Sequence, residues 1–350
     1  NNQPWKPWRD SLVHLSNPSV KLNRKLLDVA RADYVTGLKR KLLLHSNYIR
    51  PLDWDETING IKGSRFISRI NLNTSMGYPL TGTKRKHMYI RDVKDDHLIY
   101  DFNDGMVYTE HNRIKAKYLE NQQAGFIFKA SLKDEPTKIG KEKVRVFQGM
   151  PIAAQMVTRS LFLPLLSFLS LEPLLSECAV GINPFSREWD TLHHHICKFG
   201  EERIVAGDYA KWDMRLPAGL VMEAFDILIE LAEETGHYSL DDIKIMYGLA
   251  FDISNPTVNY NGTIIQFHGS NPSGQNLTAH LNSICNSLVQ RMAFYSMNDH
   301  SLPFRDSVST MTYGDDFVSS VRLGVNYDHI LLRNFCATDL DIVLTMPNKT

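Results

Sequence analysis

The segment VSTMTYGDDFVSSVR, residues 308–322, constrains the fold more than any other. Its two arms are strand-like, and Gly314-Asp315 between them is a dipeptide that closes a two-residue hairpin turn. Antiparallel strands are therefore predicted here, with two adjacent carboxylates, Asp315 and Asp316, at the tip. Taken alone the pair is ordinary, because Asp and Gly favour turns for backbone reasons.

The surrounding pattern says what the hairpin packs into. RIVAGD reads as a short buried strand ending on Asp208. An amphipathic helix follows, with Pro217 in its first turn, Leu220, Ala224, Phe225, Leu228 and Leu231 at helical spacing, and Gly236 as its stop. TVNYNGTIIQF is a second hairpin with Asn261-Gly262 as its turn. After the loop SNPSGQN, a long helix is marked by Leu277, Leu281, Ile284, Cys285, Leu288 and Met292. A helix near Tyr327 to Thr338 and a strand DIVLTM close the chain. The order strand, helix, hairpin, helix, hairpin, helix, strand predicts an α+β fold with antiparallel strands backed by helices.

Composition narrows the function indirectly. Lys plus Arg equals Asp plus Glu, 39 each, so global charge names no partner and any nucleic-acid surface must come from local clustering. Basic clusters lie at Lys39 onward, Thr83 to His87 and Lys138 to Phe147, each readable alone as a solvated face. Cys178, Cys197, Cys285 and Cys336 are scattered without a CxxC pair, the pattern of a reduced intracellular protein. The apolar run Ser160 to Leu175 is interrupted by Pro164, Glu172, Pro173 and serines, and reads as a buried helix, not a membrane span. A start without Met and an end just after a strand pattern suggest a fragment or a processed product. The tract LHHHICK, with His193, His194, His195 and Cys197, has the composition of a metal site. Read as a strand it sends neighbours to opposite faces and makes poor joint ligands.

The acids acquire meaning in combination. Asp208 ends one buried strand, and Asp213 follows it closely enough to cap the next helix. Strand ends joined through helices can set Asp208 beside Asp315. Two such carboxylates suit a pair of Mg²⁺ ions roughly 3.5–4 Å apart, the spacing used for in-line phosphoryl displacement. Clustered carboxylates repel unless cations sit between them.

GDYAKWD, NPSGQNLTAHLN and YGDD, in that order, resemble motifs A, B and C of viral RNA-dependent RNA polymerases, most closely the picornavirus-like superfamily. KDEPTKIGKEKVRVF resembles motif F through Lys133, Asp134, Glu135 and Arg145, with Lys143 a further candidate. TSMGYP is similar to motif G, AVGINP to the stretch before motif A, and LTMPNK to motif D. The resemblance runs from about Thr74 to the end. It implies a right-hand polymerase fold: fingers over residues 1–160, palm over 161–216, a fingers insertion over 217–272 and palm again over 273–350. Motif E and the thumb would follow Thr350, so the thumb is expected to be largely absent.

The resemblance also assigns roles. Asp208, Asp315, the accessory Asp316 and the Tyr209 carbonyl would hold two Mg²⁺ or Mn²⁺ ions. Lys133, Lys143 and Arg145 would grip the triphosphate, Arg with a planar donor fork and Lys as a point charge. Asp213, Asn282 and Thr278 would read the ribose 2′-OH, the group that marks RNA precursors. Ser273 and Gly274 would contact the nucleotide from the loop before the motif B helix, Gly through permissive backbone angles and close approach. Thr74 and Ser75 would meet the template, and Lys349 would protonate the pyrophosphate. The implied partners are RNA template and primer, nucleoside triphosphates, a genome-linked protein primer and replication proteins from the same polyprotein. The implied setting is the host cytoplasm at membrane-associated replication complexes, with no transmembrane segment in this chain. The motif A wording leans toward the algal and insect picorna-like groups. Two other readings stay open: a reverse transcriptase, and an inactive thumbless fragment that binds RNA or nucleotide.

Overall fold

A computed structural model describes residues 5–95, 97–136 and 144–346. Lys143 and Lys349, expected at the triphosphate and the pyrophosphate, lie outside them. The N-terminal part contains α1 (Lys6–Leu15), α2 (Arg24–His45), α3 (Trp54–Asn59), an antiparallel ribbon of β1 (Met88–Lys94) and β2 (His97–Phe102), and α4 (Met106–Leu119). Next come β3 (Phe128–Leu132), β4 (Val146–Gly149), α5 (Ile152–Leu171), α6 (Pro173–Ser176) and α7 (Arg187–Ile196). The remainder is β5 (Ile204–Tyr209), α8 (Trp212–Arg215), α9 (Ala218–Thr235), α10 (Leu240–Ser254), β6 (Thr257–Tyr260), β7 (Thr263–Gln266) and α11 (Thr278–Met297). It ends with β8 (Val308–Tyr313), β9 (Asp316–Val321), α12 (His329–Asp339) and β10 (Leu344–Thr345).

Two four-stranded sheets organise these elements. One has the order β10-β5-β9-β8 and is antiparallel throughout. The other, β4-β3-β6-β7, is mixed, because β6 runs parallel to β3. Both hairpins close as their turn residues require. Asn261 and Gly262 take φ of 52° and 98°, and Gly314 takes 68°, positive values that suit primed two-residue turns. The α9 helix stops at Gly236 in the left-handed conformation, and Pro217 is its N-cap.

The long apolar run forms an unbroken helix. Pro164 cannot donate to the Ser160 carbonyl one turn back, and Leu52 N–H takes that acceptor at 2.8 Å. By length and composition α5 could cross a membrane, but 89% of its most apolar window is buried within the protein.

Two segments differ from expectation. The histidine tract is the last turn of helix α7, not a strand: Ser186 caps it, Glu188 and Asp190 occupy its first turn, and His193, His194 and His195 sit at its C-terminal end. That charge order complements the helix dipole. The α10 helix has no counterpart in the sequence reading, although its signals are present: a Ser239–Asp242 capping box, then Ile243, Ile245, Met246, Leu249 and Ile253 buried.

Helix α11 runs through the core and is buried on all sides. One face of it is polar. Ser283, Asn286, Ser287, Gln290 and Arg291 recur at helical spacing and are all fully buried. Arg291 gives two hydrogen bonds to Glu177, at 2.6 and 2.7 Å, and a third to Asp33 on α2 at 2.7 Å. Arg305 reaches Glu177 at 2.9 Å. Burial alone would raise the Glu177 carboxyl, but Arg291 and Arg305 outweigh it and hold the group below its usual value. The Glu177 carbonyl accepts from the N–H and hydroxyl of Thr312 on β8, so this ion cluster anchors the strand leading to Asp315. Removing one partner strands a buried charge. Glu177→Gln is therefore expected to lower the free energy of unfolding by about 3–5 kcal/mol, measured by denaturant titration.

Candidate active site

Strand β5 delivers the first acid. Its last pair with β9 is Gly207 with Phe317, so Asp208 and Asp316 leave the two strands at the same edge of the sheet. A Cβ on Gly207 would lie 2.6 Å from Leu344 and 3.0 Å from Phe317, so the strand before Asp208 packs too closely for a side chain. Beyond Tyr209, Lys211 adopts φ 58° and turns the chain into α8, which brings Asp213 back over the sheet edge.

A cleft of about 700 Å³ opens there. Lys133, Arg145, Asp208, Tyr209, Asp213, Ser273, Thr278, Asn282 and Asp315 line it, together with Ser11, Lys211 and Thr345. Nine residues anticipated from sequence thus share one cavity. Burial pushes the Asp315 carboxyl up to about 6, helped by the negative charges of Asp316, Asp213 and Asp208. A carboxylate crowded in this way gains from any cation placed beside it. The donors around it are hard oxygens, and no histidine or cysteine is among the described residues lining the cleft. That donor set fits Mg²⁺ or Mn²⁺ and disfavours softer metals. The Tyr209 ring is buried and its hydroxyl bonds Asn286 at 3.3 Å, so only its backbone is available to the acids.

Facing the acids is a basic strand end. Lys133 and Arg145 both bind Glu135, with Lys133 Nζ at 2.6 Å and Arg145 at 2.7–3.0 Å. These two cations hold the Glu135 carboxyl below its usual value. An incoming anion must compete with that part-buried carboxylate for the same donors.

The third wall selects polar groups. Asn271 Nδ2 donates to Asn282 Oδ1 at 2.8 Å, and Gln275 Nε2 donates to Asn271 Oδ1 at 2.8 Å. The Asn282 oxygen is therefore occupied, and its amide N–H groups are what it can offer a ligand. Burial raises the Asp213 carboxyl, opposed by Lys211 and Arg145. The Thr278 hydroxyl donates to the Pro272 and Gln275 carbonyls at 2.9 and 3.0 Å, which leaves it acceptor capacity only.

Other anticipated residues stand elsewhere. Gly274 is outside the cleft lining, and the close approach it permits is to β4. A Cβ there would lie 2.3 Å from the Gln148 carbonyl oxygen and 2.8 Å from the Gly149 Cα, and the residue has no positive φ. Thr74 and Ser75 are also outside it. Lys84 Nζ ties them together, donating to Thr74 Oγ1 at 2.7 Å and to the Ser75 carbonyl at 2.8 Å. Burial pushes that lysine down to about 8, with Arg159 adding to the shift. The loop continues into an apolar cavity of about 650 Å³ lined by Met76–Leu80, Met106, Phe126 and Ile152. Asp316, at the first position of β9, is outside the cleft lining as well.

Sequence reasoning missed the groups that hold the acidic turn. Asn286 Nδ2 donates to the carbonyls of Gly314, Asp315 and Asp316 at 3.1, 3.0 and 3.4 Å. The Gly314 N–H donates to Ser283 Oγ at 2.9 Å. Gln290 fixes Asn286 from below at 3.0 Å and accepts from Thr310 and Ser319 on the two strands. The available signal was spacing: Asn286 follows Asn282 by one helical turn.

An antiparallel sheet presenting acids at one edge, a basic strand across a cleft from them and an amide-bearing helix between define the palm of a right-hand polymerase. The chain belongs to the viral RNA-dependent RNA polymerase family, whose model matches residues 35–329. Similar curated proteins include the replicase polyprotein of Drosophila C virus, 26% identical over 300 residues, covering 80% of this chain and 17% of that polyprotein. The replicase polyprotein of Cricket paralysis virus is 28% identical, over 77% of this chain and 16% of its own length. The genome polyprotein of Deformed wing virus is 27% identical, over 87% and 11%. The chain therefore spans under a fifth of these relatives. Its fold matches a solved Sicinivirus 3Dpol RNA-dependent RNA polymerase with TM-score 0.74 and 21% identity, over 95% of this chain and 65% of that one.

Two substitutions remove buried amide partners. Asn286→Ala removes the donor shared by three carbonyls, and Asn282→Ala takes the 2.8 Å acceptor from the Asn271 amide; each is expected to cost about 1–3 kcal/mol of unfolding free energy. Gly274→Ala forces the Gln148 backbone to shift and is expected to destabilise by about 1–3 kcal/mol. Chemical denaturation of the three variants checks all of these values.

Proposed function

We propose that this chain carries the nucleotidyl-transfer site of an RNA-templated RNA polymerase. The reaction joins a primer 3′-hydroxyl to the α-phosphate of a nucleoside triphosphate and releases pyrophosphate, copying a positive-strand viral genome. The observation that carries the reading is the single cleft shared by Asp208, Asp315, Lys133, Arg145, Asp213 and Asn282. Acids for metal, cations for triphosphate and an amide–carboxyl pair for a sugar hydroxyl are the parts this chemistry needs.

Asp208 and Asp315, with the Tyr209 carbonyl and Asp316 as accessory ligand, would hold two Mg²⁺ or Mn²⁺ ions. Such ions, when bound, lower the pKa of the attacking hydroxyl and neutralise the leaving pyrophosphate. The chain's own side chains then divide the remaining work. Lys133 and Arg145 exchange Glu135 for the triphosphate, so that one anion replaces another on the same donors. Asn282 donates an N–H to the ribose 2′-oxygen while Asp213 accepts a hydrogen bond from the 2′-hydroxyl. Thr278 offers that sugar a further acceptor. A site built for a hydroxyl rejects the sugar that lacks it, because its own polar groups are then left unpaired. RNA template and primer, nucleoside triphosphates and a genome-linked protein primer are the partners this reading carries, with release from a polyprotein alongside other replication proteins.

Primer extension on an RNA template supplies the test, run with this chain and with a C-terminally extended one. Asp315→Asn is expected to reduce incorporation by about a hundredfold or more while leaving Tm unchanged or higher, since it removes one of several repelling charges. Full activity in that variant overturns the assignment. In Asn282→Ala, the preference for ribonucleotides over deoxyribonucleotides is expected to fall by about tenfold or more. A wild-type preference for deoxyribonucleotides would instead favour a reverse transcriptase. Nucleotide binding without extension in either chain would favour an inactive binding fragment.

A further inference from the structure

The histidine tract at the end of α7 has no part in the cleft, and its helical form changes what it can do. On a strand, neighbouring side chains diverge. On a helix, residues four apart share a face. His193 and Cys197 are so related, with Cys197 Sγ and His193 Nε2 3.7 Å apart. The chain then reverses through Gly200, which takes φ 102°, into the short turn Glu201–Arg203. That reversal brings the Glu201 carboxylate to the same point. One ligand atom from each of His193, Cys197 and Glu201 lies within 4.8 Å of the other two.

We propose that His193, Cys197 and Glu201 form a zinc site separate from the polymerase cleft. Tetrahedral zinc, with bonds of about 2.0–2.3 Å, places its ligand atoms roughly 3.3–3.8 Å apart. The His–Cys pair is already at that separation, and side-chain rotation of exposed Glu201 supplies the rest. The donor set of thiolate, imidazole and carboxylate selects zinc over Mg²⁺, which prefers oxygens alone. Cys197 gives its thiol proton to solvent on binding, and water completes the fourth position. Of the four cysteines, Cys197 alone is not buried, so it is the thiol a solvent metal can reach.

The position in the fold says what the metal does. His195, between the two ligands, bonds the Thr310 carbonyl of β8 through its ring at 3.2 Å, and its own carbonyl accepts from Ser309 Oγ at 2.6 Å. Phe199 N–H donates to Ser320 Oγ of β9 at 3.2 Å. Glu201 leads into β5, which carries Asp208 near its far end. A zinc ion there clips α7 to the start of β5 on the side of the sheet remote from the acids. Its role is structural, tying the strand that carries Asp208 to the strands that carry Asp315.

Cobalt substitution tests the site directly. Metal-free chain receiving equimolar Co²⁺ is expected to develop a thiolate-to-cobalt charge-transfer band in the near ultraviolet and the intense visible bands of tetrahedral cobalt. Zn²⁺ should abolish both by displacement. Cys197→Ser removes the near-ultraviolet band, whereas Cys336→Ser retains it. Because the polymerase acids carry no thiol, metal bound there cannot give that band. His193→Gln, with circular dichroism to confirm folding, keeps the thiol and is expected to weaken cobalt binding by tenfold or more. Zn²⁺ should also raise Tm in the wild type and leave it unchanged in His193→Gln. A wild type without the charge-transfer band, or a band that survives Cys197→Ser, overturns the proposal.

Discussion

One neutral amide carries the most strained requirement of this fold. The Gly314-Asp315 turn must hold two adjacent carboxylates within reach of Asp208 and Asp213, and those charges repel. A cation placed beneath the turn would relieve the repulsion and would also compete with any metal the acids were to bind. Asn286 offers another solution. It donates to three backbone carbonyls of the turn and so fixes the backbone without adding charge near the acids. Its own oxygen is held by Gln290 and Tyr209. The low dielectric of the core strengthens such a network, and every member of it must be satisfied for the same reason. The cations belonging to this scaffold, Arg291 and Arg305, are spent on Glu177.

The arrangement explains why α11 is buried all round yet polar along one face. Its apolar positions pack into the core. Its polar stripe is the surface on which the β8–β9 hairpin is registered: Ser283 to Gly314, Asn286 to the turn, and Gln290 to Thr310 and Ser319. Because side chains alternate along a strand, a one-residue slip would swap every one of these partners. The same helix presents Asn282 to the cleft one turn earlier. The position of Asp315 relative to Asn282 is therefore set by a single rigid element.

Much of this was legible in the sequence, for specific reasons. Turn chemistry marked both hairpins, because Asn261-Gly262 and Gly314-Asp315 are residue pairs that tolerate positive φ. Asp208 stood out because an acid ending an apolar strand has few bland roles once a second such acid is present. What escaped was information stored between segments. Helix α7 looked like a strand tract because three histidines in a row hide the helical spacing that Ser186, Glu188 and Leu192 carry. Gly274 was read for its backbone freedom, whereas its constraint is the Gln148 carbonyl, contributed by a strand over a hundred residues away. Thr74 and Ser75 were legible as a motif but not as a loop fastened by Lys84. Asn286 and Gln290 went unread, since nothing local reveals a polar stripe turned inward.

Net charge zero acquires a local meaning. Each side of the cleft is balanced differently. On the basic side, Glu135 pairs with Lys133 and Arg145, whose side chains are 45% and 58% exposed, so that pairing is weak and exchangeable. On the acidic side, Asp315 is largely buried among like charges, so its imbalance is stored in a raised carboxyl. The two imbalances are complementary. Under the proposed function, an anion entering with divalent cations would replace Glu135 on one wall and relieve Asp315 on the other. Neither partner alone would satisfy both walls, because a bare anion leaves the acids repelling and bare cations leave the basic strand closed on its own carboxylate. Cooperative entry of metal and triphosphate is what that proposal implies from where the charges sit, and it is invisible in a composition that sums to nothing.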